Sequence, residues 1–188
     1  MYTIPVFYAT TEGHTGAIAQ SIASTLREEG FESQARHIGS ALAPTDWSSV
    51  VSAVVGGSLH YGRHQAAVRA FITRELEQLN RRPAAFFSVS LSAASRNPTE
   101  VQAAHRIAER FVRGLQWQPR RVTCFAGKLA YLKYGFVKRW ILRRIASREG
   151  GPTDTSRDHD LTNWNSVRAF ALNVAADARP KSPAQAAS

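Results

Sequence analysis

The chain has 188 residues, of which 44% are hydrophobic, and it carries a formal net charge of +10 with a sequence pI near 10.6. This length suits one well-packed domain rather than two, and the positive charge predicts an anionic partner such as a nucleic acid, an anionic lipid surface or an acidic ligand. The single cysteine, Cys124, excludes an internal disulfide and fits a reducing compartment, and no apolar stretch reaches the ~20 residues needed to cross a bilayer.

The first predicted element is a strand that leads through a polar turn into a helix. No basic region precedes the strand over 6–9, which argues against a signal peptide, and Ile18, Ile22 and Leu26 then recur at four-residue spacing. The start of a helix offers unpaired N–H groups and the positive end of the helix dipole, so the turn is predicted to bind a phosphate. Its candidate residues are Thr10, Thr11, Glu12, Gly13, His14 and Thr15. An ordinary strand–helix connection is the alternative.

The order and spacing of this turn resemble the flavodoxin signature, an apolar strand end followed by Thr-x-x-Gly-x-Thr. That resemblance implies that the turn holds the phosphate of FMN. Neither a dinucleotide-type GxGxxG motif nor a P-loop fits, because the turn has one glycine and no lysine.

Strands and helices alternate along the rest of the chain. In chain order we predict strands over 32–38 and 50–57, a helix over 63–79 and a strand over 84–91. The next element is a helix that is opened by Asn97, Pro98 and Glu100 and that buries Ile107, Ala108, Phe111 and Leu115. A strand over 122–127 follows, and then a last helix marked by Trp164, Val167, Ala171 and Val174. These units predict an α/β fold, namely a flavodoxin-like, doubly wound five-stranded parallel sheet with strand order 2-1-3-4-5. We expect a single domain over 1–178 and a disordered tail over 179–188.

Ligands of such sheets bind beyond the carboxyl ends of the strands, so the loops after the third and fourth predicted strands are further candidates. They contribute Ser58, Leu59, His60, Tyr61 and Gly62, and then Ser90, Leu91, Ser92 and Ala93. In flavodoxin-like proteins the first of these loops packs an aromatic side chain on the isoalloxazine ring, and Tyr61 has a suitable position. The start of a helix with a surface tyrosine is an equally good interpretation. We expect surface or capping roles for the nearby His14, His60 and His64, and no metal site.

A basic and aromatic insert is predicted over 128–152, after the fifth strand. Val137 and Trp140 fall on one side of a helix, with Arg139 and Arg143 on the other, a pattern that suits an anionic bilayer surface. Its candidate substrate or membrane contacts are Tyr131, Lys133, Tyr134, Lys138, Arg139, Trp140, Arg143 and Arg144. A helix packed on the domain with solvated arginines is the alternative. No recognised nucleic-acid-binding motif is present, so we expect no nucleic-acid partner.

Taken together, these motifs resemble the flavodoxin-type, quinone-dependent protoporphyrinogen IX oxidases of bacteria. The resemblance covers nearly the whole chain before the tail. It is carried by residues 10–15, 56–62, 86–91 and 116–119, by the basic insert, and by Gly150 and Gly151 before Thr153, Asp154 and Thr155. His60 departs from it, since an arginine is expected there.

The resemblance implies an FMN enzyme of haem biosynthesis that oxidises protoporphyrinogen IX and passes the electrons to menaquinone or ubiquinone. It further implies a peripheral protein at the cytoplasmic face of the cell membrane, and it leaves room for a homo-oligomer. No catalytic side chain is identified, because the flavin carries the chemistry.

Three other functions stay open from the residues alone. They are an NAD(P)H:quinone reductase-like flavoprotein, a basic flavodoxin-like electron carrier, and a flavin-free membrane or nucleic-acid adaptor. The net charge of +10 weighs against a common carrier flavodoxin, since that family is strongly acidic. No feature dedicated to a nicotinamide dinucleotide accompanies the turn.

Overall fold

A parallel β-sheet lies at the centre of the molecule in a computed structural model that describes residues 1–39, 44–129 and 159–179. In chain order the elements are β1 (Val6–Ala9), α1 (His14–Glu28), β2 (Ala35–His37), β3 (Ala53–His60), β4 (Arg63–His64), α2 (Ala66–Arg74), α3 (Leu76–Asn80), β5 (Ala84–Ser90), a 3₁₀ turn (Ser92–Ala94), α4 (Pro98–Gly114), β6 (Arg121–Ala126), β7 (Lys128–Leu129), β8 (His159–Asp160) and α5 (Trp164–Ala178).

Five of these strands are parallel and follow the order β2-β1-β3-β5-β6, which confirms the predicted α/β fold and strand order. Val6 of β1 pairs with Ala35 on one side and with Val54 on the other. Every residue of β5 and most of β3 are buried, as expected of central strands that are covered on both faces. The carboxyl ends of β1, β3, β5 and β6 therefore meet at one edge of the sheet, which we call the carboxyl edge.

Two hydrophobic layers cover the two faces of the sheet. Helices α1 and α5 cover one face with a layer that includes Ile18, Ile22, Leu26, Val167, Phe170, Val174 and the strand residue Phe87. Helices α2, α3 and α4 cover the other with a layer that includes Val68, Phe71, Ile72, Leu79, Ala108, Val112, Trp117 and the strand residue Phe86. Helices on both faces are what the alternating strand–helix pattern requires.

The prediction of one helix over 63–79 is wrong in two respects. Its first two residues form β4, which pairs antiparallel with the end of β3, so that β3 and β4 make a hairpin. The rest is divided into α2 and α3 at Glu75, which has φ −99° and ψ 12°. The apolar spacing did not indicate the division because Val68, Ile72 and Leu79 all lie in the same hydrophobic layer.

The predicted start of α4 is confirmed, whereas its predicted buried face is shifted. The Asn97 side chain accepts a hydrogen bond from the Thr99 N–H at 3.0 Å, and Pro98 opens the helix. The buried residues of α4 are Ala104, Ala108 and Val112, while the expected Ile107, Phe111 and Leu115 are only partly buried. Small side chains thus sit where α4 approaches the sheet.

The last helix, α5, is also confirmed, and it buries Val167, Ala171 and Val174 as predicted. Trp164 differs from the other three predicted positions because 39% of its surface is exposed. Beyond α5, Arg179 donates to the carbonyl oxygen and the carboxylate of Glu29 at 3.2 and 2.8 Å. The remaining residues of the predicted tail lie outside the described residues.

A short antiparallel strand pair, the β7–β8 ribbon, extends from the carboxyl edge. Leu129 pairs with His159 and Lys128 with Asp160. The N–H of Leu161 donates to the Gly127 carbonyl at 3.3 Å, which ties the ribbon to the end of β6. The ribbon therefore holds the two ends of the segment 130–158, and the segment itself lies outside the described residues.

Candidate functional site

The turn between β1 and α1 has the geometry of an anion site. Gly13 caps α1 with φ 94° and ψ −22°, a left-handed conformation that favours glycine. Its N–H donates to Thr10 Oγ1 at 2.8 Å, and its carbonyl accepts from the Gly16 N–H at 3.0 Å. His14 and Thr15 are the first two residues of α1, so their N–H groups have no acceptor within the helix and can bind a ligand at the positive end of the α1 dipole.

Gln65 joins this turn to the end of β3. Its side-chain amide donates to Thr11 Oγ1 at 3.3 Å and to Ser58 Oγ at 2.5 Å, and its Oε1 accepts from the Ser58 N–H at 3.0 Å. Gln65 is also the N-cap residue of α2. Its side chain thus holds the turn after β1 and the end of β3 in a fixed relation to each other. Gln65 could not be predicted from the sequence, because a single glutamine before a helix belongs to no recognisable motif.

The residues after β3 form a tight hairpin and not the start of a helix. Its central residues, Tyr61 and Gly62, have φ values of 49° and 73°, the sign that a type I′ turn requires at both positions. A non-glycine residue with positive φ is strained, and such strain is concentrated at functional sites. The Tyr61 side chain is 98% exposed, which leaves its ring available to a planar ligand. The preceding Leu59 and His60 are partly buried.

The loop after β5 lies beside this hairpin, because β3 and β5 are neighbours in the sheet. Ser90 is buried, and its Oγ accepts from the Ala93 N–H at 3.3 Å. Leu91 and Ser92 are exposed, and the Leu91 carbonyl accepts from the Ala94 N–H at 2.9 Å. The structure thus brings all three predicted loops to the carboxyl edge, where one ligand can contact each of them.

The His14 side chain contacts the segment that follows β8. Its Nε2 lies 2.6 Å from Thr162 Oγ1 and 3.6 Å from Asp160 Oδ1, and its ring meets the Trp164 ring edge-on at a centroid distance of 6.0 Å. Burial lowers the pKa of His14 below its ordinary value, Asp160 opposes this effect and Lys128 adds to it. The expected surface role of His14 is therefore wrong, and these partners were missed because no local pattern connects them to the turn.

His64 is part of a second polar group, within the layer under α2 to α4. Its Nε2 lies 2.9 Å from Ser88 Oγ, and its ring packs between Phe86 and Phe111 at centroid distances of 5.3 and 4.4 Å. Burial lowers the pKa of His64 to about 4, and Arg69 acts in the same direction. The expected surface or capping role is wrong for His64 too, because the hairpin places it, partly buried, against Phe86 and Phe111.

The pKa of Cys124, on the neighbouring β6, is raised to about 12 by burial, although a hydrogen bond with Ser88 opposes the shift. The thiol is therefore protonated near neutral pH and is no nucleophile. Cys124 is partly buried and lies in β6, the last strand in the order of the sheet.

The predicted contacts in the insert all fall between β7 and β8. Tyr131, Lys133, Tyr134, Lys138, Arg139, Trp140, Arg143 and Arg144 all lie outside the described residues. Among the helices in the described ranges, none combines the length and hydropathy of a membrane span.

Comparison with known proteins agrees with this geometry. Residues 5–156 match the family described as a flavodoxin domain. The chain is 31% identical over 170 residues to the protoporphyrinogen IX dehydrogenase (quinone) of Escherichia coli strain K12, an alignment that covers 90% of this chain and 93% of that protein. It is 32% identical over 174 residues to the protein of the same name from Leishmania major, with 91% and 74% of the two chains covered.

Solved structures show the same fold at much lower identity. The oxidised flavodoxin 1 of Bacillus cereus superposes with a TM-score of 0.54 and 13% sequence identity, covering 92% of this chain and 96% of that flavodoxin. At this identity the similarity concerns the fold alone.

Proposed function

Since this chain belongs to the quinone-dependent protoporphyrinogen IX dehydrogenase family of flavodoxin-domain proteins, we propose that it oxidises protoporphyrinogen IX to protoporphyrin IX with a respiratory quinone as acceptor. It is an oxidoreductase and its cofactor is FMN. The observation that supports the specific reaction best is the 31% identity, which extends over 90% of the chain and so includes the carboxyl edge and the insert together.

The residues at the carboxyl edge fit FMN. The N–H groups of His14 and Thr15 would bind the phosphate, with the Thr10 hydroxyl and Gly13 shaping the turn. The exposed ring of Tyr61 would pack on the isoalloxazine, and backbone groups of Ser90, Leu91, Ser92 and Ala93 would face its polar edge. When bound, FMN supplies the two-electron redox chemistry.

The reaction removes six electrons and six protons from the macrocycle, in two-electron steps, and each step reduces one quinone to a quinol. The polypeptide's contribution is to hold the reactants close together and to exclude water. Cys124 and His64 are both partly buried beside the hydrophobic layer under α2 to α4, and both are uncharged near neutral pH. We therefore assign neither of them to proton transfer.

The charge of the protein fits the substrate and its location. Protoporphyrinogen IX is an apolar disc with two propionates, and it partitions into membranes as quinones do. We propose that the insert binds this substrate through Tyr131, Tyr134, Trp140 and neighbouring basic residues, at the cytoplasmic face of the membrane. About 1 kcal/mol of attraction per basic residue near an anionic surface would hold the protein there without an anchor. Menaquinone and ubiquinone are both suitable acceptors.

The membrane contact has its own test. Changing Arg139, Arg143 and Arg144 to glutamate should abolish binding to anionic vesicles at moderate salt, while the affinity for FMN stays at the wild-type value. Sedimentation with vesicles of anionic and of neutral lipid would measure the first property. Retained binding to anionic vesicles would refute the surface role of the insert.

The reaction is tested by an anaerobic assay of the purified protein reconstituted with FMN. Porphyrin fluorescence should rise when protoporphyrinogen IX and a menaquinone analogue are both present, above a control without enzyme that corrects for autoxidation. FMN binding without quinone-dependent porphyrin formation would instead favour a basic flavodoxin-like carrier. Turnover that requires NAD(P)H would favour the quinone reductase-like alternative.

A further inference from the structure

A hydrogen-bonded cluster connects the turn at the start of α1 with the segment that closes the β7–β8 ribbon. It consists of His14, Asp160 and Thr162. We propose that these three are positioning residues through which phosphate binding at the turn and the pairing of β7 with β8 stabilise each other. This proposal rests on the proposed function, because the phosphate is that of FMN.

The hydrogen-bond donors in the cluster can be assigned from its geometry. The Thr162 hydroxyl donates its one proton to the Ala126 carbonyl at 2.9 Å. Towards His14, 2.6 Å away, Thr162 Oγ1 is therefore an acceptor, and the proton lies on His14 Nε2. The bond needs only the proton on Nε2, so a neutral imidazole makes it, and burial favours that form of His14.

The Asp160 carboxylate accepts the other hydrogen bonds at this cluster. Its Oδ1 accepts from the Thr162 N–H at 3.0 Å, and its Oδ2 accepts from Trp164 Nε1 at 3.1 Å. Burial alone would raise the pKa of Asp160, but the hydrogen bonds from Thr162 and Trp164 lower it, so the carboxylate stays charged. Since Asp160 pairs with Lys128 in the ribbon, the position of β8 and the position of Thr162 depend on each other.

His14 transmits the coupling because its backbone N–H and its imidazole have different partners. Its N–H is one of the two donors at the phosphate turn that have no acceptor within α1, and its imidazole is hydrogen-bonded to Thr162. A phosphate that orders the first residue of α1 therefore also orders the donor to Thr162. Linkage is reciprocal, so a change at Thr162 must alter phosphate affinity although Thr162 lies in a different segment of the chain.

The decisive variant is Thr162→Val, which keeps the shape of the side chain and removes its hydroxyl, with Thr162→Ser as the matched control that keeps it. We would titrate each protein with FMN and with riboflavin, which has the same ring and no phosphate. Thr162→Val should weaken FMN about 3- to 10-fold, the effect of losing a hydrogen bond, and should leave riboflavin unchanged. Thr162→Ser should resemble the wild type for both ligands.

A double-mutant cycle then shows whether the effect passes through His14. His14→Ala should weaken FMN by a similar factor, and the His14→Ala, Thr162→Val double variant should be no weaker than either single variant. His14→Gln, which retains a side-chain N–H donor, should recover most of the affinity. Independent, multiplying effects would overturn the proposal.

Hydrogen exchange supplies the reciprocal measurement. In the wild type, FMN should slow the exchange of amides in Lys128, Leu129, His159 and Asp160 more than riboflavin does, and in Thr162→Val this difference should vanish. A purely structural role for Thr162 would instead loosen the ribbon equally with and without ligand, which would contradict the coupling.

The outcomes separate this proposal from the proposed function. If wild-type protein binds FMN no more tightly than riboflavin, the phosphate site at the turn is refuted, and the coupling with it. If FMN is preferred and Thr162→Val weakens both ligands alike or neither, only the coupling is refuted.

Discussion

Gly13 and Tyr61, both near the carboxyl edge, adopt backbone conformations that favour glycine, and Tyr61 is not a glycine. Gly13, at the phosphate turn, has φ 94°, and Tyr61, at the hairpin, has φ 49°. A Cβ atom at Gly13 would meet nothing within 4 Å, so the requirement for glycine there comes from the backbone and not from crowding by other residues. Each position yields a prediction with a matched control elsewhere in the chain.

Gly13→Ala should lower the free energy of unfolding by about 1–2 kcal/mol, because the left-handed conformation is unfavourable for alanine. It should also weaken FMN binding, because that conformation orients the N–H groups of the turn. Gly30 is the control, since it has φ 88° and equally open surroundings but follows the far end of α1. Gly30→Ala should cost similar stability with no loss of FMN affinity. Urea unfolding and flavin titration measure the two effects, and equal FMN losses in both variants would contradict the prediction.

Tyr61→Asn should raise the free energy of unfolding of the apoprotein by about 0.5–1 kcal/mol, because asparagine tolerates positive φ, and should weaken FMN because the exposed ring is lost. Gln116, the other described non-glycine residue with positive φ (58°), is the control. Gln116→Asn should stabilise the protein without affecting FMN. A stabilised Tyr61→Asn variant with unchanged FMN affinity would show that this ring does not contact the flavin.

At the scale of single residues, the sequence indicated which residues form the turn after β1, but not what their side chains contact. Gly13 could be predicted because its left-handed conformation belongs to a local motif. His14 could not, because its partner Thr162 is 148 residues away and carries no motif of its own. Tyr61 was assigned to the right loop, yet its strain depends on β4, whose two residues are too few to produce a periodic pattern.

At the scale of helices and strands, the contact of β4 with β5 and α4 has the clearest effect on the free energy of unfolding. His64 brings an imidazole into the layer under α4, between Phe86 and Phe111, with Ser88 as its hydrogen-bond partner. Because burial lowers its pKa to about 4, the folded protein holds His64 neutral at pH values where the unfolded chain protonates it.

The unfolded state thus binds a proton as the pH falls below about 6.5, whereas the folded state binds it only near pH 4, so stability is lost between these values and not above them. The loss is about 3 kcal/mol at most. His64→Gln should reduce this acid sensitivity, whereas His37→Gln, at an exposed histidine, should keep it. Chemical unfolding at several pH values from 7 to 4 measures the slopes, and identical slopes in the wild type and in His64→Gln would refute the assignment.

The predictions for whole elements succeeded where their signals were local. Asn97 and Pro98 marked the start of α4, and the nearly all-apolar run over 50–57 marked the buried strand β3. They failed where tertiary contacts decided the outcome. The apolar stripe expected on α4 was shifted because small residues such as Ala104 and Ala108 allow the helix to lie close to the sheet.

For the whole molecule, the fold predicts that FMN binding and substrate oxidation can be separated. Replacing 130–158 with an Asn-Gly turn between Leu129 and His159 would close the β7–β8 ribbon as a hairpin. The shortened protein should keep its FMN affinity within about threefold, because every residue of the carboxyl edge and the ribbon remains. It should lose quinone-dependent oxidation of protoporphyrinogen IX and binding to anionic vesicles. Flavin titration and the anaerobic assay test this, and loss of FMN binding would contradict it.

The strand pair that ends at Leu129 and His159 has a consequence for how such a protein can diversify. Because Leu129 and His159 are paired, the distance that an intervening segment must span is the same whatever its length. Each doubling of that length adds only about 0.6 kcal/mol to the entropic cost of closing the loop. Segments with different charge or aromatic content can therefore replace one another at this position, in evolution or in the laboratory, without rebuilding the sheet. The same redox scaffold can thereby acquire new substrates by exchange of this one peptide.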